Sequence, residues 1–140
     1  MNKSRTTIIL IFFLLTFKLS PIAYGQNRLT SDRELILNTP LVSANYTYGV
    51  RLTEFGQLEL FYVRNKSKVY WRTPRPPRKI TRCWMQSDGN LVLYQGETAV
   101  WASNTTNNPG AFLEIQDDGN LVIYTAERRA LWASNTVGGQ

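Results

Sequence analysis

Two nine-residue stretches, QSDGNLVLY at Gln86–Tyr94 and QDDGNLVIY at Gln116–Tyr124, lie thirty positions apart and share seven residues. A repeated fold needs repeated apolar spacing, but it does not need a repeated Gln, Asp, Asn and Tyr. Those side chains donate and accept hydrogen bonds, which is the chemistry of recognition. Catalysis finds less to work with. The chain has no histidine and one cysteine. Asp88 and Asp118 hold equivalent places in successive repeats and are expected on different sheets, too far apart for a glycosidase carboxylate pair. No His/Cys cluster or dense acidic loop suggests zinc or calcium, so no metal and no cofactor is expected.

The surrounding sequence must hold these residues on strands. Runs such as Leu-Val-Leu-Tyr and Leu-Val-Ile-Tyr, broken by Gly, Pro and Asn, favour short strands, and no stretch after residue 25 holds a helical period. The repeating unit is strand, Asp-Gly turn, strand, short polar turn, then Trp-Ala-Ser-Asn-Thr, at Trp101–Thr105 and Trp132–Thr136. A weaker copy lies upstream, with Gly56 aligned to Gly89 and Gly119, and Trp71 thirty residues before Trp101. A three-residue turn, Ser87-Asp88-Gly89, with a left-handed glycine sets Gln86 opposite Asn90. One face then carries Cys83, Met85, Leu91 and Leu93. The same rule gives Leu113, Ile115, Leu121 and Ile123 in the last copy, and Val50, Leu52, Leu58 and Leu60 in the first. Every one is apolar or cysteine, so the register is self-consistent.

The other face gathers Gln86, Asp88, Asn90, Val92 and Tyr94, and again Gln116, Asp118, Asn120, Val122 and Tyr124. This is an amide pair, a carboxylate, a phenol and a small apolar floor. The first copy is an internal control. It keeps the core positions but carries Thr53, Phe55, Gln57, Glu59 and Phe61 on the outside, so the fold tolerates loss of the polar set. Sugar hydroxyls donate and accept at once and match such a patch, with the Asp acceptor making the strongest bond.

Gln-x-Asp-x-Asn-x-Val-x-Tyr in strand repeats, each trailed by Trp-Ala-Ser-Asn-Thr, resembles the bulb-type, snowdrop-lectin-like family of mannose-binding lectins. The resemblance runs from about Asn27 to the C-terminus and includes the Leu41-Val42-Ser43 lead-in. It implies an all-β fold, a β-prism II of three four-stranded antiparallel sheets with pseudo-threefold symmetry, with Trp71, Trp101 and Trp132 near the axis. It also implies metal-free binding of mannose by the two intact five-residue sets. Asp and Asn would take the axial 2-hydroxyl, Gln the 3-hydroxyl and Tyr the 4-hydroxyl, with Val under the ring carbons. The first copy departs at all five positions and is assigned no mannose site. The cysteine pair common in plant members is missing. Family members often form homodimers by exchanging C-terminal strands, for which Leu131–Gln140 is the candidate tail.

The remaining features concern compartment and partners. Lys3 and Arg5 precede the apolar run Ile8–Leu15, and Ala23-Tyr24-Gly25 offers small residues for cleavage. This reads as a secretory signal peptide over residues 1–25, cleaved near Gly25, with an uncleaved anchor as the alternative. Residues 26–140 then form one lectin domain in a secreted protein. Removing Lys3, Arg5 and Lys18 from sixteen basic side chains leaves 13 against 10 acidic, a net of +3, far from the footprint of a nucleic-acid binder. Cys83 is either a small buried hydrophobe or an intermolecular bridge. WRTPRPPRKITR concentrates Arg72, Arg75, Arg78, Lys79 and Arg82, either as a solvated loop or as a contact for an anionic surface. Asn45, Asn65 and Asn104 head glycosylation sequons. The rival from another class is an antimicrobial or protein-interaction module that keeps the prism without binding sugar.

Overall fold

Alternation of apolar and polar residues about each turn glycine builds the same three-strand unit three times. The computed structural model describes residues 26–76 and 79–139. The expected leader and Arg78 lie outside them. The lead-in supplies three two-residue strands, β1 (Arg28–Leu29), β2 (Arg33–Glu34) and β3 (Leu41–Val42). The first repeat is β4 (Tyr48–Leu52), β5 (Leu58–Tyr62) and β6 (Asn65–Arg72). The second is β7 (Arg82–Met85), β8 (Leu91–Gln95) and β9 (Thr98–Ala102). The third is β10 (Phe112–Ile115), β11 (Leu121–Tyr124) and β12 (Ala130–Ala133), followed by a 3₁₀ turn at Val137–Gly139.

These strands form three four-stranded antiparallel sheets, β3-β4-β5-β6, β2-β7-β8-β9 and β1-β10-β11-β12. This is the β-prism II architecture. The lead-in threads all three sheets, because β1 pairs with the last repeat, β2 with the second and β3 with the first. Only its Leu41-Val42 portion was legible as part of the pattern. β12 pairs with β11 of the same chain, so the tail proposed for strand exchange closes its own sheet here.

All twelve positions assigned to the inner face are buried, none more than 2% exposed. The register is the expected one. Gln86 N donates to Asn90 O (2.9 Å) and Gly89 N to Gln86 O (3.0 Å), and the last repeat repeats both bonds with Gln116, Asn120 and Gly119. Gly89 and Gly119 take φ of 90° and 86°, a region L side chains avoid. Each sheet then has a bulge where its third repeat strand meets the middle one. Leu93 faces Trp101, yet Tyr94 faces Ala99, and Ile123 faces Trp132, yet Tyr124 faces Ala130. The skipped residues Tyr70, Val100 and Leu131 pack against the core beside the tryptophans. Trp132 meets Trp71 and Trp101 edge-on, with ring centroids 6.0 and 5.8 Å away. The repeats therefore share one aromatic junction.

Cys83 is fully buried, which excludes the intermolecular bridge and leaves the core role. Burial pushes its thiol up to about 12. The native state thus holds a proton that the unfolded chain releases near its ordinary pKa, so this contribution to stability is present below about pH 9 and is lost as pH rises toward 12. A thiol reagent at pH 8 should leave the native protein unlabelled and modify one thiol per chain in denaturant. Rapid native labelling would contradict the packing.

Candidate functional site

The second and third hairpins each carry the outer set the sequence singled out. Gln86 Nε2 lies 2.6 Å from the Tyr94 hydroxyl, and Gln116 bonds Tyr124 in the same way. Asp88 Oδ1 accepts from Asn90 N, and Asp118 Oδ1 from Asn120 N, both at 2.9 Å. One carboxylate oxygen is therefore spent on the turn, leaving Oδ2 of an exposed Asp turned to water.

The asparagines are held from behind. Asn90 Oδ1 accepts from Ser103 Oγ (3.1 Å) and Thr105 N (3.3 Å), and Asn120 Oδ1 from Ser134 Oγ (3.1 Å) and Thr136 N (3.3 Å). A backbone N–H can only donate, so the amide atom facing it is the oxygen. The NH₂ groups then face away from this fork and are free to donate. Ser103 Oγ also accepts from Leu91 N (3.0 Å), and Thr105 Oγ1 donates to Gly89 O (2.6 Å). Asn104 and Asn135, between the two hydroxyl residues, sit at φ 57°, a left-handed conformation Asn tolerates. The Trp-Ala-Ser-Asn-Thr repeat thus has a local cause. Trp goes to the junction, Asn makes the corner, and Ser and Thr clamp the turn. Sequence reasoning recognised this motif but gave Ser and Thr no role.

Each turn is also seated by the next part of the chain. Asn108 N donates to Asp88 O (3.0 Å), and Gly138 N, twenty residues after Asp118 as Asn108 is after Asp88, donates to Asp118 O (2.6 Å). The last turn additionally receives Tyr70, whose hydroxyl donates to Gly119 O (3.0 Å), and Asn45, whose N and Nδ2 donate to Asp117 Oδ1 (2.8 Å) and O (2.9 Å). Burial, more than any neighbouring charge, holds the Tyr70 phenol well above the ordinary tyrosine range, so it remains a donor.

Two expectations need correction. Val92 and Val122 were read as the patch's apolar floor, but they are only 2% and 3% exposed. Trp84 and Ala102 flank Val92, and Glu114 and Ala133 flank Val122. The valines back the polar groups from beneath instead of forming an open platform. The described residues of the basic insert likewise form no continuous cationic strip. Arg82 pairs with Glu34 (2.5 Å) and lies over the Trp84 ring (4.6 Å). Arg72 lies 3.8 Å from Glu59, and Arg75 covers Phe55 (5.0 Å). Lys79 is exposed, while Ile80 is buried against Gly56. Among the described residues the geometry gives an anionic-surface contact no support.

The first hairpin keeps the turn and loses the patch. Gln57 stands at the Asn90 position, but its longer amide turns inward and donates to Thr73 O (2.9 Å). Glu59 accepts from Arg51 (3.0 Å), and Phe61 is buried beneath the Arg51 guanidinium (4.6 Å). None of the described residues forms a cluster of three or more His, Cys, Asp or Glu fit to hold a metal.

Replacing Ser103 or Ser134 by alanine leaves the Leu91 or Leu121 backbone N–H without a partner and removes one of the two bonds to the asparagine oxygen. Each substitution should cost about 1–3 kcal/mol in a urea melt. Unchanged midpoints would mean the clamp is dispensable.

No protein-family model and no curated protein matches the sequence. Solved structures do. A lectin of Marasmius oreades is 29% identical over 84% of this chain and 97% of that chain, with a TM-score of 0.72. A monomeric monocot mannose-binding lectin of Gastrodia elata is 33% identical over 80% of this chain and 99% of that chain, with a TM-score of 0.69. With the prism fold and both polar sets in register, the chain belongs to the bulb-type, snowdrop-lectin-like family of mannose-binding lectins.

Proposed function

We propose that the chain binds terminal mannose on glycans through two metal-free sites, Gln86, Asp88, Asn90 and Tyr94 backed by Val92, and Gln116, Asp118, Asn120 and Tyr124 backed by Val122. One observation carries this reading. In both hairpins the inward polar atoms are spent on the turn, while an Asn NH₂, an Asp oxygen and the free valences of a Gln–Tyr pair remain for a ligand. That set offers donors and acceptors side by side, as vicinal hydroxyls require. The solved relative from Gastrodia elata is described as mannose-binding, which supports the choice of sugar. Export through the leader over residues 1–25 would bring the sites to extracellular or cell-surface glycans.

A hexose of about twelve heavy atoms at roughly −0.3 kcal/mol each gains about −4 kcal/mol, a millimolar affinity. Two sites on one chain convert such weak contacts into useful avidity on clustered glycans, by about 10²–10⁴. A homodimer would extend this further. Retention on mannose-agarose with elution by methyl mannoside is the expected behaviour. The Asp88→Ala/Asp118→Ala variant should pass through unretained. Equal retention of variant and wild type would remove the assignment.

A further inference from the structure

The first hairpin, which has no mannose set, borders a pocket of about 340 Å³ lined in part by Arg51, Thr53, Phe55, Glu59 and Val69. We propose that this pocket is a separate site for a sugar bearing an acetamido group. Phe55 replaces the turn Asp of the other repeats and is 62% exposed, high for a large apolar side chain. The Arg75 guanidinium lies 5.0 Å from the ring centroid and does not line the pocket. The ring is thus an exposed apolar wall, of the kind the C–H face of a pyranose packs against.

The polar groups are incompletely used. Glu59 is 8% exposed. Its Oε2 accepts from Arg51 Nε (3.2 Å) and Nη2 (3.0 Å), but Oε1 has only Arg72 at 3.8 Å, beyond hydrogen-bond reach. Oε1 thus keeps access to solvent and can accept from a ligand's donor. Thr53 Oγ1 accepts from Gln57 N (3.2 Å) and keeps its own proton to give. An acetamido group fits this arrangement. Its N–H donates to Glu59 Oε1, its carbonyl accepts from Thr53, and its methyl lies against Val69. Mannose has hydroxyls but no methyl-capped donor–acceptor pair. The pocket's size falls at the small end of small-molecule sites, roughly 300–1,000 Å³.

This site is independent of the mannose reading, so the two are tested apart. N-acetylglucosamine, glucose and methyl mannoside would each be titrated into the ¹⁵N-labelled wild type and the Asp88→Ala/Asp118→Ala variant. N-acetylglucosamine should move the backbone amides of Thr53–Glu59 in both proteins, with millimolar affinity, while glucose and methyl mannoside leave them in place. Glu59→Gln should weaken this binding about tenfold. Because Glu59 also anchors Arg51, Phe55→Ala serves as a second variant at an exposed position, expected to weaken binding several-fold without lowering the melting temperature. No shift at tens of millimolar, an equal response to glucose or methyl mannoside, or unchanged affinity in Phe55→Ala would overturn the proposal.

Discussion

The outer face of this protein depends on a serine hydroxyl and a threonine backbone N–H gripping the side-chain oxygen of an asparagine. Ser103 and Thr105 do this to Asn90, and Ser134 and Thr136 to Asn120, with matching distances. The grip fixes which end of the amide faces outward and pins the Asp-Gly-Asn turn to its neighbouring strand. Exposed polar side chains ordinarily sample several rotamers, and ordering them costs a ligand affinity. Here the order is supplied by bonds within the fold.

The first repeat shows what happens when the grip is lost. Thr73 replaces Ser103 and still accepts from Leu58 N at 3.1 Å. Pro74 replaces the corner Asn, however, and proline cannot take a left-handed φ. Arg75 then follows where Thr105 would stand, so the hydroxyl that holds the turn carbonyl is missing. Gln57, one methylene longer than Asn, folds inward onto Thr73 O, and the vacated face fills with the Arg51–Glu59 pair. Turn and core survive because they depend on the glycine and the apolar positions alone. Repetition in the core and divergence on the face therefore have separate physical origins.

Much of this was legible from residue spacing. The three-residue turn and the twelve core positions follow from alternation about Gly56, Gly89 and Gly119, while the meeting of the tryptophans came from the family resemblance. What spacing hid depended on contacts distant in sequence. Arg28-Leu29 and Arg33-Glu34 are too short to show a period, yet each completes a sheet. The valines alternate correctly to the outside, but they are buried there beside their cross-strand neighbours Trp84 and Glu114. The basic insert looks uniform as a string, and only the fold reveals that Glu34 and Glu59 lie beside Arg82 and Arg72. Cys83 left two readings open until burial decided between them.

The central claim is that two gripped asparagine amides, and not the equivalent Gln57, present their NH₂ groups to a mannose ligand. Side-chain amide resonances in a ¹⁵N-labelled sample titrated with methyl mannoside report this directly. The account predicts that the Asn90 and Asn120 NH₂ signals shift along the same binding curve while Gln57 stays fixed. Stationary asparagine signals at saturation, or a Gln57 signal moving with them, would contradict it.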